Sequence, residues 1–417
     1  MNRFLTLVSL FASGWAVASD FAPLKADERI VFYPSIAERV PGRAVWRAEV
    51  RGCVFEPEKA RLSVGALQEA LELKTGEMTA AESAVFSQRA RLFLVDHERG
   101  KKVFIRLGTN EFFVGKSGAD GRFGGQIEFG DDGTQFSAIL PPGDKRRFTG
   151  EIFPLADEGV SVISDIDDTI KITEVRDRQA TLRNTFLREF QPVPGMAEFY
   201  QTLARAPLTR PAANLSDGER IPRTDSRVEP LNRTGGGSGT GVPPVRSETH
   251  GRDARATTRF MEREGVRGHP EIAATAPRIA FHYVSASPWQ LYEPLSEFVR
   301  SNGFPAGTFH LKPFRWKDRS FFRLFADPVK YKLSVIEPLL KQFPRRKFML
   351  IGDSGERDPE IYGELARKFP GQIGRIYIRD VTGEIPENER YVRAFHEVPR
   401  AKWQSFLQPG EIKVATE

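Results

Sequence analysis

From residue 159 onward the chain alternates short, largely apolar runs with amphipathic stretches. Residues 160–163, 278–284, 347–351 and 373–378 are such runs, and they read as strands buried on both faces of a parallel sheet. Helical patterns intervene. One opens at Pro194-Gly195-Met196 with proline near its first turn, one begins at Lys332, one follows Gly352-Asp353, and one lies near 402–407. Upstream the period is different. Residues 45–54 alternate apolar and polar positions as a half-buried strand does, and 66–90 hold two Ala/Leu/Glu-rich helical patches split by Thr75-Gly76. Residues 91–95 and 103–107 flank 96–100 as a hairpin would, and Asp120-Gly121 and Asp131-Asp132-Gly133 supply turns before 136–139. The pattern predicts a smaller, mainly β, sandwich-like domain over residues 19–155 and an α/β domain with a Rossmann-like parallel sheet over 156–410, with a short tail at 411–417.

One stretch fits neither period. Residues 207–276 are rich in Pro, Gly, Ser, Thr and Arg, and no aromatic residue occurs between Tyr200 and Phe260. Such a segment lacks the means to build a core, so it is expected to be a disordered insertion in the α/β domain. Its Gly235-Gly236-Gly237-Ser238-Gly239 run reads as a flexible linker and not as a phosphate loop, because no strand precedes it and no Gly-Lys-Ser/Thr follows. The formal charge of +6 carries little weight, because residues 205–268 hold 12 Arg and no Lys against 8 Asp and Glu, a surplus of four in this one segment. At the other end, Met1-Asn2-Arg3 and the apolar stretch 4–18, ending Ala16-Val17-Ala18, have the charge, length and small-residue exit of a secretory signal peptide. Cleavage near Ala18 predicts an exported protein, periplasmic or secreted, with no integral span in the mature chain. The single cysteine, Cys53, excludes an intramolecular disulfide and a cysteine-based zinc site, and its place in a strand pattern predicts burial. His97 is expected to be a solvated turn residue.

The chemistry gathers where the predicted strands end. The run at 160–163 delivers Asp165, Asp167 and Asp168 into an otherwise apolar stretch. Carboxylates two residues apart at a strand end could divide the work of a nucleophile or metal ligand and a proton donor. The run at 278–284 ends in Ser285-Ala286-Ser287-Pro288-Trp289, which puts a hydroxyl and free backbone N–H groups where a phosphate can bind. Residues 307–332 interleave bases with aromatics, a composition suited to an anionic lipid headgroup and its acyl interface, or to single-stranded nucleic acid. Finally 347–351 leads into Gly352-Asp353-Ser354-Gly355-Glu356-Arg357-Asp358, with oxygen ligands suited to magnesium.

In order along the chain, Asp165-Ile166-Asp167-Asp168-Thr169, Ser285, a lysine at 330 or 332, and Gly352-Asp353 with Asp358 resemble the four motifs of the haloacid dehalogenase superfamily. The longer strings Ser164-Asp165-Ile166-Asp167-Asp168-Thr169-Ile170-Lys171, Ser285-Ala286-Ser287-Pro288-Trp289-Gln290-Leu291-Tyr292 and 351–362 resemble the actin-patch-type, lipin-like phosphatidate phosphatases, and the β-rich amino-terminal part is loosely similar to that of bacterial relatives. The resemblance implies a haloacid dehalogenase-type sheet and a Mg2+-dependent phosphatase converting phosphatidate to diacylglycerol and phosphate. It implies Asp165 as nucleophile and metal ligand, Asp167 as acid/base with its carbonyl on the metal, Thr169 and Ser285 on the phosphoryl oxygens, Lys332 (with Lys330 its competitor) neutralising charge, and Asp353 and Asp358 as metal residues, Asp358 from the second shell. The partners it implies are a phospholipid substrate and a transient membrane surface, with no nucleic acid. Two other readings remain open at this point: a phosphomonoesterase for another lipid phosphate or a soluble ester, and a non-catalytic phosphatidate-binding module.

Overall fold

The computed structural model describes residues 22–57, 64–71, 78–130, 132–205, 279–313 and 328–412. The expected signal peptide, the whole insertion at 207–276, and the basic-aromatic stretch over 314–327 lie outside the described residues.

The second half builds a six-stranded parallel sheet from β10 (Val160–Asp165), β11 (Ile279–Pro288), β12 (Thr308–Lys312), β13 (Lys347–Asp353), β14 (Ile373–Arg379) and β15 (Trp403–Phe406). Its order is β12-β11-β10-β13-β14-β15, so β10 lies centrally with β11 on one side and β13 on the other. Parallel neighbours need crossovers, and α4 (Met196–Arg205), α5 (Tyr292–Ser301), α6 (Pro328–Gln342) and α7 (Asp358–Lys368) supply described parts of them. The helix foreseen from Lys332 begins earlier, at Pro328. Residues 403–406, foreseen as helical, are instead the edge strand β15. Trp403 stacks on Phe395 at 4.3 Å, and pairing with β14 outweighs the local preference of so short a run.

The first half forms nine strands, β1 (Arg29–Tyr33), β2 (Ser35–Arg39), β3 (Trp46–Pro57), β4 (Val95–His97), β5 (Lys102–Leu107), β6 (Asn110–Lys116), β7 (Arg122–Phe129), β8 (Gln135–Ala138) and β9 (Thr149–Leu155), joined in one sheet. Its inward residues, among them Phe32, Trp46, Val50, Ile105, Phe123, Ile127 and Phe136, share one core. β6 and β7 approach closely at Gly125, where a Cβ would sit 1.7 Å from the Val114 carbonyl oxygen. Cys53 is buried in β3, as its pattern predicted, and burial pushes its thiol up to about 12. The hairpin foreseen around 96–100 does not form. Residues 91–93 end helix α2 (Ala80–Phe93), whose Phe86, Ala90 and Phe93 face the core, while His97 lies in β4 and pairs with Phe55 of β3. Thus His97 is a strand residue and not a free turn residue.

Two contacts bear on the functional half. Tyr33 at the end of β1 packs on Trp289, just after β11, with ring centroids 4.0 Å apart. Arg346, fully buried, donates to the carbonyls of Ala156, Glu158 and Val160 and to Ser161 Oγ, stapling the entry of β10. Arg346→Met leaves those acceptors unpaired and is expected to cost about 3 kcal/mol in urea unfolding. Arg345→Met, which removes only exposed ion pairs with Asp157 and Glu158, should cost under about 1 kcal/mol. Equal midpoints for the two variants would show that Arg346 staples nothing.

Candidate active site

The carboxyl ends of β10, β11 and β13 converge, as they must in a parallel sheet, and every foreseen site residue except Lys330 is buried there. Asp165 ends β10. Neither of its carboxylate oxygens accepts a hydrogen bond among the described residues, although Lys332 Nζ lies 2.8 Å from Oδ1 as an ion pair. Lys332 projects from α6 and also reaches Asp358 Oδ1 at 2.5 Å and Glu356 Oε2 at 3.0 Å. Lys330, its competitor in the sequence, is exposed. Geometry therefore gives the buried position to Lys332.

Asp353 ends β13. Its Oδ1 accepts from the N–H groups of Gly355 and Glu356, while Oδ2 is buried without a partner among the described residues. Asp358 at the start of α7 is fully engaged, Oδ1 by Lys332 and Oδ2 by the Asp353 N–H. That crowding explains Gly352, where a Cβ would lie 2.3 Å from Asp358 Oδ2. Oxygens of Asp165, Asp353 and Asp358 lie within 4.8 Å of one another. An all-carboxylate set with orphaned oxygens on Asp165 and Asp353 fits a hard divalent cation. Asp358, with both oxygens spoken for, fits the role of holding Lys332 and the Asp353 backbone.

Electrostatics separate the two aspartates, Asp165 and Asp167. Burial pushes the Asp165 carboxyl well above the usual carboxylate range against the pull of Lys332, and Asp358, Glu356 and Asp353 push it the same way as burial. Asp353 is raised well above the usual carboxylate range by burial and by Asp358 and Glu356. Lys332 is held protonated, because Asp165, Asp358 and Glu356 outweigh the effect of its burial. Burial would raise Asp167 too, but Lys171 Nζ at 2.8 Å and hydrogen bonds from Ser285 and Thr173 hold it at about 2. Two carboxylates two residues apart thus meet opposite fields.

Ser285, expected on a phosphoryl oxygen, instead donates to Asp167 Oδ2 at 2.7 Å, and Ser287 donates to the same oxygen at 3.1 Å. A register shift between Ser285 and Pro288 aims this strand end at the site. Thr169 Oγ1 is buried and unpartnered among the described residues, so it is free to meet a ligand. Asp168 has a structural task. At φ 55° it accepts from the N–H groups of Thr173, Glu174 and Val175, closing the loop, and Arg379 at the end of β14 donates to its carbonyl at 2.6 Å. Lys171, Thr173, Glu356 and Arg379 were not foreseen. The spacing of the Asp-rich stretch suggested nothing of Lys171, and Arg379 enters only because β14 pairs beside β13.

Residues 160–220 and 250–380 match the family described as "Phosphatidate phosphatase APP1, catalytic domain". Over these residues the chain is similar to this actin-patch-type phosphatidate phosphatase family. The match is interrupted over 221–249, inside the Gly- and Arg-rich stretch. The chain is 28% identical over 251 residues to phosphatidate phosphatase APP1 of Saccharomyces cerevisiae, which covers 58% of this chain and 30% of that protein. It is 27% identical over 241 residues to an uncharacterized protein of Schizosaccharomyces pombe, covering 57% and 28%. It therefore spans under a third of the length of these relatives. Among the described residues no helix is long and apolar enough to cross a membrane.

The raised pKa of Asp353 has a thermodynamic sign. An ionised carboxylate whose folded pKa exceeds the unfolded value of about 4 opposes folding, and the penalty grows as pH rises from there toward the folded pKa. Asp353→Asn keeps an oxygen for the Gly355 and Glu356 N–H groups while removing the charge. In chelator near neutral pH it is expected to melt above the parent protein, by a margin that shrinks toward about pH 4. A divalent cation should reverse the order. Asp167 acts oppositely: its stabilisation is present above its unfolded pKa and is lost as pH falls from about 4 toward 2. A constant difference in Tm between parent and Asp353→Asn from acid to neutral pH would contradict this picture.

Proposed function

We propose that the protein is a Mg2+-dependent phosphatidate phosphatase of the haloacid dehalogenase type, working through an aspartyl-phosphate. The observation that carries this reading is Asp165, buried, with neither oxygen accepting a hydrogen bond among the described residues and Lys332 Nζ 2.8 Å from Oδ1, within the segment that matches the catalytic domain. Asp165, Asp353 and the Asp167 carbonyl would hold the magnesium ion, supported by Asp358. Bound there, it would neutralise the carboxylates and withdraw charge from the phosphoryl oxygens. Export after cleavage near Ala18 belongs to the same reading.

The residues divide the chemistry as follows. An Asp165 oxygen attacks phosphorus, the phosphorus–oxygen bond to the glycerol breaks, and the leaving oxygen takes a proton from Asp167. Asp167 then takes a proton from water, whose oxygen attacks the same phosphorus and releases Asp165. Lys332 offsets charge on the phosphoryl group, and Thr169 offers it a hydroxyl. Because Asp167 is ionised in the substrate-free site, its first proton must arrive with the substrate. A phosphomonoester monoanion, with a second pKa of about 6, carries one. Arrival of that group sets up competition for Ser285 and Ser287, which now hold Asp167 in place.

The test is phosphate release from dispersed phosphatidate and from a soluble alkyl phosphomonoester, with and without Mg2+, beside Asp165→Asn. Release that needs Mg2+, favours phosphatidate and vanishes in the variant is expected. Turnover of the soluble ester alone would remove the lipid assignment, and vesicle binding with no turnover would make the protein a binding module. The proton inventory adds that kcat/KM should fall above about pH 6, as the monoanion is lost. Asp167→Asn should slow alkyl esters by about a hundredfold or more, and aryl esters, whose leaving groups need no proton, far less.

A further inference from the structure

Five large apolar side chains are exposed among the described residues: Phe113, Ile172, Ile385, Val392 and Leu407. Scattered singly, such residues need no explanation. Four of these are not scattered. Ile172 lies on the loop after β10, Ile385 on the loop after β14, and Leu407 directly after β15. In a parallel sheet all three loops emerge at one edge, the carboxyl edge that holds Asp165 and Asp353. Val392 lies in α8 (Glu389–Ala394), whose Arg390 is tied to the Ser354 and Glu356 carbonyls at that same edge. Phe113 alone belongs to the other sheet.

The loops are built to hold these tips outward. Ile172 donates its N–H to the Gln191 carbonyl, one residue before Thr173, where Asp168 closes the loop. The loop after β14 is tied down through Asp380, whose Oδ1 accepts from Ser354, Thr382 and Gly383. Leu407 donates its N–H to Glu411. The loops after β10 and β14 meet over Gly355, where a Cβ would contact both Val175 and Val381 at about 3 Å. From β10 to β15 the tips span about 15 Å of sheet edge. Separate apolar tips on anchored loops do not make the continuous face a protein partner requires. They suit insertion between lipids, with Arg176, exposed on the Ile172 loop, available to anionic headgroups.

We infer that this carboxyl edge is the surface on which the protein sits on a phosphatidate-containing bilayer, with Ile172, Ile385 and Leu407 entering the interface around the mouth of the site. The inference rests on the lipid substrate proposed above. A phosphate still in its bilayer can reach the buried Asp165 only if this edge faces the membrane.

The test uses the full chain, the double variant Ile385→Asp/Leu407→Asp and, separately, Ile172→Asp. Flotation with phosphatidylcholine vesicles containing phosphatidate measures docking. Phosphate release from those vesicles is compared with release from dissolved dibutyryl phosphatidate. The double variant is expected to lose about tenfold or more in vesicle binding and vesicle turnover, with dissolved substrate turned over within about twofold of the parent rate. Ile172→Asp should lower vesicle binding likewise. Unchanged vesicle binding in both would overturn the inference, as would an equal loss on dissolved and vesicle substrate by the double variant. Vesicle binding that the variants abolish, in a protein that hydrolyses neither substrate, would uphold the surface and remove the phosphatase reading.

Discussion

Everything at the carboxyl edge of the parallel sheet is arranged around one buried ammonium group. Lys332 stands among Asp165, Asp358 and Glu356, with Asp353 beyond them, so four carboxylates face one lysine in a largely buried cluster. A buried cluster with that imbalance opposes its own formation. The surrounding fold must therefore hold it in place. The two central strands deliver Asp165 and Asp353, Gly352 removes the side chain that would collide with Asp358, and Asp358 clamps the lysine and the Asp353 backbone together. The unmet charge is also what would favour a divalent cation in the site.

Against this background the second aspartate is the informative contrast. Asp167 lies two residues from Asp165 yet meets Lys171, Thr173, Ser285 and Ser287 in place of carboxylates. One carboxyl is pushed up by burial and its acidic neighbours, and the other is held down by Lys171, Ser285 and Thr173. Environments that drive two titratable groups apart are how a site assigns different tasks to chemically identical residues. The left-handed Asp168 makes the division physical, because closing the loop onto the Thr173, Glu174 and Val175 N–H groups is what turns Asp167 toward Lys171 and the serines.

The amino-terminal sheet is connected to this chemistry through an aromatic contact. Tyr33 lies against Trp289, two residues beyond Ser287, so the strand that brings hydroxyls to Asp167 is braced from the other sheet. The loops after β10, β14 and β15 leave the same edge of the parallel sheet and expose Ile172, Ile385 and Leu407.

The sequence by itself determined the strands β10, β11, β13 and β14, because continuous apolar runs bounded by polar residues leave few alternatives. It also placed Asp165, Asp167, Ser285 and Asp353, since a carboxylate or hydroxyl at the end of such a run is costly unless it is used. Local pattern failed where a short segment takes its state from a neighbour: residues 403–406 became a strand by pairing with β14, and 91–93 remained helical because Phe93 had a core to enter. The motif resemblance puts Lys332 ahead of Lys330, and the fold shows what separates them: Lys332 is buried beside Asp165 and Lys330 is exposed, since two lysines two residues apart differ only in which face of α6 meets the sheet. Tertiary structure alone turned Ser285 toward Asp167 and brought in Lys171, Glu356 and Arg379. Charge acts through space, and which charges face one another is decided by strand order, which no local stretch of the chain contains.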